Sequence, residues 1–169
     1  LLGLGHRRIA HLGGEPDLRL TAERRSGWLS ALDAAGIHPD PRLDVPGGFT
    51  EDAGYAAAQR LLDSAVPVSA VFAASDLAAI GAMNALRERG LAVPGDVSVV
   101  GFDDLRLSAY VAPALTTVRQ PAQEIGEAAT NLLIELIRRP DRRRPRRPVL
   151  FEPTLIVRNS TARPRRGRR

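Results

Sequence analysis

The sequence predicts an α/β fold, a parallel sheet flanked by helices on both faces. Two observations carry that prediction. β-Capable apolar runs alternate with helical segments at least four times along the 169 residues, the pattern of a parallel sheet built through helical crossovers. Two of those runs, Ala70–Ala74 and Val97–Phe102, stop abruptly at polar side chains, Ser75-Asp76 and Asp103-Asp104. Open parallel sheets bind ligands beyond the carboxyl ends of their strands. These two strand ends are therefore expected to form one wall of a small-molecule cleft.

Taken in order, Arg8–Leu12 is the first strand and ends at Gly13-Gly14. A helix is expected from about Thr21 to Ala35, with Thr21 as its N-cap and Gly36 as its stop. Leu43–Val45 reads as a short strand that leads through Pro46-Gly47-Gly48 to Phe49. The next helix opens on Thr50, Glu51 and Asp52, a capping hydroxyl followed by acids suited to a helix N-terminus, and runs to about Asp63. Ala70–Ala74 is the third strand, and Asp76 is expected to cap a helix that ends at Gly90. Val97–Phe102 and Thr116–Arg119 are the fourth and fifth strands. Ile125, Ala129, Leu132, Leu133, Leu136 and Ile137 then recur at helical spacing on a helix beginning near Pro121 and reaching Arg139. Leu150–Val157 reads as a last strand after an Arg/Pro-rich loop.

Composition narrows the functional classes. The hydrophobic content of 44% supports a core, and no apolar run reaches the length of a membrane span. The opening LLGLGHRRIA lacks the layout of a signal peptide. The chain contains no cysteine, so disulfides and thiolate metal sites are excluded. All 24 basic residues are Arg. The overall charge of +5 conceals a strong asymmetry: residues 138–169 carry 13 Arg against Asp141 and Glu152, while residues 1–137 carry 11 Arg against 17 acids. Pro and Arg interleave there without periodicity, which reads as a solvated loop and a disordered end. Nonspecific phosphate binding by the tail is the alternative.

The segments VFAASDLAAIGAM, LAVPGDVSVVGFDD and LTTVRQP, followed by LIVRNST, resemble the effector-binding domain of LacI/GalR-type transcriptional regulators. LGHRRIAHLGG and RRSGWLSAL fit the same family in the same order, so the resemblance runs from about Leu2 to about Thr161. It implies one lobe of a periplasmic-binding-protein-like type I domain, in which two lobes joined by three crossovers enclose the ligand. Residues 1–120 would form the lobe distal to DNA. Residues 121–148 would be a crossover helix and basic loop lying on the other lobe, 149–158 a return strand, and 159–169 a disordered basic tail. The DNA-reading head and most of the proximal lobe would lie outside this chain.

The same resemblance implies the site. The family's ligand-binding Arg stands three residues before the Gly of RRSGW and maps to Arg24, with Arg25 as the register alternative. A guanidinium offers a planar fork of donors to hydroxyls or a carboxylate. The family's ligand-contacting Asp maps to Asp103, a strand-end carboxylate able to accept from sugar hydroxyls; Asp104 is expected to cap the short helix that follows. Ser75 stands where many relatives carry Asn, Phe49 where relatives place a stacking aromatic, and Gln120 lies at a crossover with reach into the cleft. Leu18 and Leu20 stand where a purine-type site would offer polar contacts, which argues against nucleobases. Trp28 is read as core.

Enzyme readings find no support. Gly3-Leu4-Gly5 precedes the first strand and lacks a third glycine, opposite to a dinucleotide-binding turn. His6, His11 and His38 show no metal-ligand spacing, and no nucleophile elbow occurs. No cofactor is expected. The resemblance thus implies a cytoplasmic, non-enzymatic effector-sensing and dimerisation part of a regulator, expected to repress, that responds to a sugar-like small molecule. It would form a homodimer through a surface including Ile80 and Val111, meet operator DNA only through an N-terminal domain, and contact no membrane. The alternative is a periplasmic sugar receptor of a transporter, and a third reading is a fragment without independent activity.

Overall fold

A six-stranded sheet, in the order β2-β1-β3-β4-β5-β6, organises the chain. Its strands are β1 (Ile9–Leu12), β2 (Asp44–Val45), β3 (Ala70–Ala73), β4 (Ser98–Asp103), β5 (Thr116–Arg119) and β6 (Thr154–Ile156). The helices are α1 (Arg19–Ala34), α2 (Glu51–Asp63), α3 (Asp76–Glu88) and α4 (Ala122–Arg138). The computed structural model describes residues 1–138 and 148–165. The basic loop expected between α4 and β6 falls on 139–147, outside the described residues, as do the last four residues.

Strands β1 to β5 are parallel, as the alternation predicts, but β6 runs antiparallel to β5, with Val118 opposite Leu155. It is also shorter than the expected Leu150–Val157. Pro153 has no N–H to give a ladder, and pairing begins at the next residue.

Alternation along the strands separates two faces. Ile9, His11, Phe72 and Val100 point toward α1, which buries Trp28 and Leu32. Trp28 is core, as expected: its indole N–H donates to the Ile9 carbonyl at 3.3 Å and its ring stacks on His11 with centroids 5.5 Å apart. The other face, with Ala10, Leu12, Val71 and Val99, is covered by α2 and α3 through Ala57, Ala58, Leu61, Ala78, Ala82 and Leu86, all almost fully buried. These two helices approach so closely that a side chain at Gly54 or Gly81 would collide with the backbone of Ala78 or Glu51.

The helix ends hold two corrections. Helix α1 starts at Arg19, two residues before the expected Thr21 cap, and its N-cap, Leu18, makes no side-chain cap. A turn from Glu15 to Leu18 runs straight into the helix, leaving the buried Thr21 hydroxyl without a partner. Helix α3 is capped by Ser75, whose hydroxyl accepts from Ala78 N–H at 3.0 Å, and not by Asp76. Thr50 caps α2 as expected, and Gly36 and Gly90, both left-handed, follow α1 and α3 as their stops.

Residues 159–162, placed with a disordered tail in the sequence reading, are stitched to the sheet. Asn159 N–H donates to Ala114, Val99 N–H to the Ser160 carbonyl and Thr116 N–H to the Ser160 hydroxyl. Ser160 serves both strands at their amino-terminal ends, where the β4–β5 pairing begins at Val100 and Thr116, and it is fully buried there. Helix α4 differs from the rest: none of its residues is buried, and Leu133 and Ile137 stand well exposed.

Candidate ligand-binding site

The carboxyl end of β4, the loop before α2 and the crossover after β5 bring three of the five expected residues, Asp103, Phe49 and Gln120, to a fourth, Arg24. Helix α1 aims Arg24 across the sheet edge, where its Nη1 donates to the Ala74 carbonyl at 2.8 Å. Its guanidinium carbon lies 4.0 Å from the centroid of the Phe102 ring and 5.6 Å from that of Phe49. Nη2 stands 3.6 Å from Asp103 Oδ1, which also accepts from the Gln120 amide at 2.7 Å. A planar cation thus lies near two aromatic rings and pairs with a carboxylate. Arg25, the register alternative, turns away to Asp44 instead.

Ser75 plays a different part from the one its position implied. Its hydroxyl donates to the Phe49 carbonyl at 2.8 Å while capping α3, so the protein uses both of its hydrogen-bonding roles. It fixes the Phe49 loop, and the Phe49 ring lies over Gly14, where any side chain would collide with it.

Asp103 and Asp104 are neighbours with opposite environments. Burial pushes the Asp103 carboxyl above its usual range, with the Gln120 hydrogen bond and the Arg24 charge pulling the other way and Asp76 adding repulsion. Asp104 is raised by burial as well, but hydrogen bonds from Arg158 and Arg119 more than reverse this and leave it below the usual range. Asp104 therefore does not cap the following turn, as was expected; it pairs with Arg158 and Arg119 at 2.6 Å each. The cap of that turn, Leu105, has no capping side chain. Burial lowers Arg24, opposed by the Asp103 charge.

Sequence reasoning missed Phe102. It was treated as the last residue of a buried strand, but strand alternation puts it on the α1 face beside Val100, and Arg24 covers it. Asp103 would then point to the opposite face; its backbone, at φ 116°, swings it back toward Arg24 and Gln120. The VRNST and LTTVRQP motifs are mainly structural: Arg158 bonds the Leu115 carbonyl and Asp104, and Thr116 and Thr161 bond each other.

A groove of about 910 Å³ opens from Arg24, Phe102 and Gln120 and continues along the sheet over Phe72 and Val100 to Leu1. Beyond its polar mouth the walls are apolar, so the chemistry is concentrated at the strand ends. Among the described residues no cluster of His, Cys, Asp and Glu could hold a metal ion, and no helix is long and apolar enough to cross a membrane.

A mostly parallel sheet with helices on both faces, carrying a cation, a carboxylate and aromatics at its strand ends, has the architecture of one lobe of a periplasmic-binding-protein-like domain. The chain belongs to the periplasmic binding protein-like domain family, whose family model matches residues 1–161, in the form carried by LacI/GalR-type regulators. It is 44% identical over 137 residues to the HTH-type transcriptional regulator CelR of Thermobifida fusca, a match covering 81% of this chain and 40% of the relative. It is 42% identical over 131 residues to the HTH-type transcriptional repressor CytR of Escherichia coli K12, covering 78% and 38%. Among solved structures, a CelR–cellobiose complex superposes with a TM-score of 0.89 at 42% identity, over 95% of this chain and 48% of that one. A dimeric lac repressor with an 11-residue C-terminal deletion gives 0.87 at 29% identity, over 98% and 59%. The chain spans about half the length of the relatives it matches, and these relatives are transcription regulators, not enzymes.

Proposed function

We propose that this lobe senses a neutral sugar or closely related metabolite as part of a LacI/GalR-type transcriptional repressor. The observation that carries the reading is Arg24, packed over the Phe102 ring and paired with Asp103 at the carboxyl edge of the sheet. Sugar hydroxyls both donate and accept, which suits a guanidinium, a carboxylate and an amide set side by side, and apolar sugar faces suit Phe49 and Phe102. Arg24 and Asp103 already balance each other's charge, so a charged ligand gains less there than a neutral one. The cellobiose complex of the CelR relative supports the same class.

In the full protein, the effector would bridge this lobe and a second one, against which α4 would lie. Closure would shift DNA-binding heads supplied by an N-terminal domain, in the cytoplasm. The surface for a second copy would include Ile80 and Val111, which are half-buried against the core, together with the exposed Leu107 and Tyr110 beside Val111. The dimeric lac repressor relative supports that arrangement. Calorimetric titration of the full-length protein, second lobe included, with cellobiose and glucose tests the reading. Saturable binding of either sugar is expected, and Arg24→Ala should weaken it by about tenfold or more, the scale of a charge-assisted hydrogen bond. No binding of either sugar overturns the sugar class, and a full-length protein that sediments as a monomer at micromolar concentration overturns the dimer.

A further inference from the structure

Asp76 has no exposed surface and is the first residue of α3, yet Ser75 already caps that helix. Its carboxyl group serves other parts of the chain. Oδ2 accepts from the Leu105 N–H at 2.7 Å and from the Ser108 hydroxyl at 2.6 Å, and Oδ1 accepts from the Thr117 hydroxyl. Thr117 in turn accepts from the Asp104 N–H at 3.4 Å. On the β4 side, any side chain at Gly101 would collide with Asp76. One buried acid thus touches β4 two residues before Asp103, grips Asp104 through Thr117 and grips Leu105 directly.

Between those grips the backbone is strained. Asp103 and Asp104 adopt φ of 116° and 56°; aspartate visits the left-handed region near 56° readily, but a residue with a Cβ holds φ of 116° only where its surroundings over-determine it. The same φ at Asp103 is what brings its carboxyl to Arg24 and Gln120. We propose that Asp76 is the positioning residue of the ligand site: through Leu105, Thr117 and the space left at Gly101, it holds the Asp103–Asp104 backbone in the conformation that presents Asp103 to the ligand. The inference rests on the reading of Arg24, Asp103 and Gln120 as that site.

The test uses the full-length protein, whose second lobe completes the cleft, with Asp76→Asn, the milder Thr117→Val, and Leu62→Ala on α2 as a control that loses packing away from this network. Hydrogen exchange at the Asp104 and Leu105 amides and calorimetric binding of cellobiose are measured, with thermal stability alongside. Asp76→Asn and Thr117→Val are expected to speed exchange at these two amides and to weaken cellobiose binding by about tenfold or more, the scale of losing hydrogen bonds to a buried charged group. Leu62→Ala should lower the melting temperature while leaving both readouts unchanged. Equal loss in Leu62→Ala, or unchanged exchange in both network variants, overturns the proposal. If the full-length parent binds no cellobiose, the sugar reading has failed, and the exchange comparison alone decides the role of Asp76.

Discussion

Against the sheet face that carries Val71, Val99 and Gly101, helices α2 and α3 close a layer of alanine and leucine with almost no exposed apolar surface, whereas on the face that carries Phe72 and Val100 a single helix, α1, leaves a groove of about 910 Å³ beside it. The contrast has a compositional origin. Small residues at Ala57, Ala58, Ala78, Ala82, Gly54 and Gly81 let two helices share one sheet face at short range. The α1 face carries larger side chains and has one helix to cover them, and α4, the most amphipathic segment, covers nothing. The closed face holds itself together, while the open face presents apolar surface of the kind that a second surface covers.

The closed face should be the easiest to break. Leu86→Ala on α3 removes a fully buried side chain and is expected to cost about 2–5 kcal/mol, read from urea unfolding. A cost below about 1 kcal/mol would mean that this layer is looser than its geometry. Ser75→Ala, which removes a cap and the partner of the Phe49 carbonyl, should cost about 1–2 kcal/mol.

Protonation sharpens the comparison from the α1 side. His6 and His11 are both lowered from 6.5 chiefly by burial, opposed by the Ala162 carbonyl and by Asp44 respectively. The unfolded chain therefore takes up protons first, so the stability they contribute is present above 6.5 and is lost as the pH falls below it. Asp103, raised by burial, acts in the opposite sense and disfavours the folded state as the pH rises from 3.8. The urea midpoint should thus fall between about pH 7.5 and about pH 5.5, and a flat midpoint would contradict the histidine assignment. The smallest effect belongs to the open surface: Leu133→Ser on α4 should change stability by no more than about 0.5 kcal/mol while reducing the binding of an apolar dye. A larger loss would show that the helix is packed after all.

The regular parts of this fold were legible because strand and helix periods are local. The runs at Ala70 and Val97, the cap at Thr50 and the stops at Gly36 and Gly90 needed nothing beyond their neighbours in sequence. Arg24, Asp103, Gln120 and Phe49 were legible through the family pattern, and the structure brings them together. What escaped depended on contacts between distant segments. Asp76 looks like a cap until its partners at Leu105, Ser108 and Thr117 are known. Asp104 looks the same until Arg158 arrives from 54 positions away. Phe102 was hidden because a strand-end aromatic is commonly core, and that Arg24 covers it depends on how α1 crosses the sheet. The reversed direction of β6 depends on a return path that no local pattern encodes.

The Ser160 stitch also sets a timetable. His6 Nε2 meets the Ala162 carbonyl at 2.8 Å across 156 positions of sequence, and β4 and β5 share Ser160 between them. At about 5–20 residues per second, a ribosome reaches Ala162 roughly 10–30 s after His6. For that interval Val99 and Thr116, at the amino-terminal ends of the paired β4 and β5, lack the partner that Ser160 gives them. A translational pause placed just before Asn159 should prolong exposure of the nascent chain to proteases and chaperones.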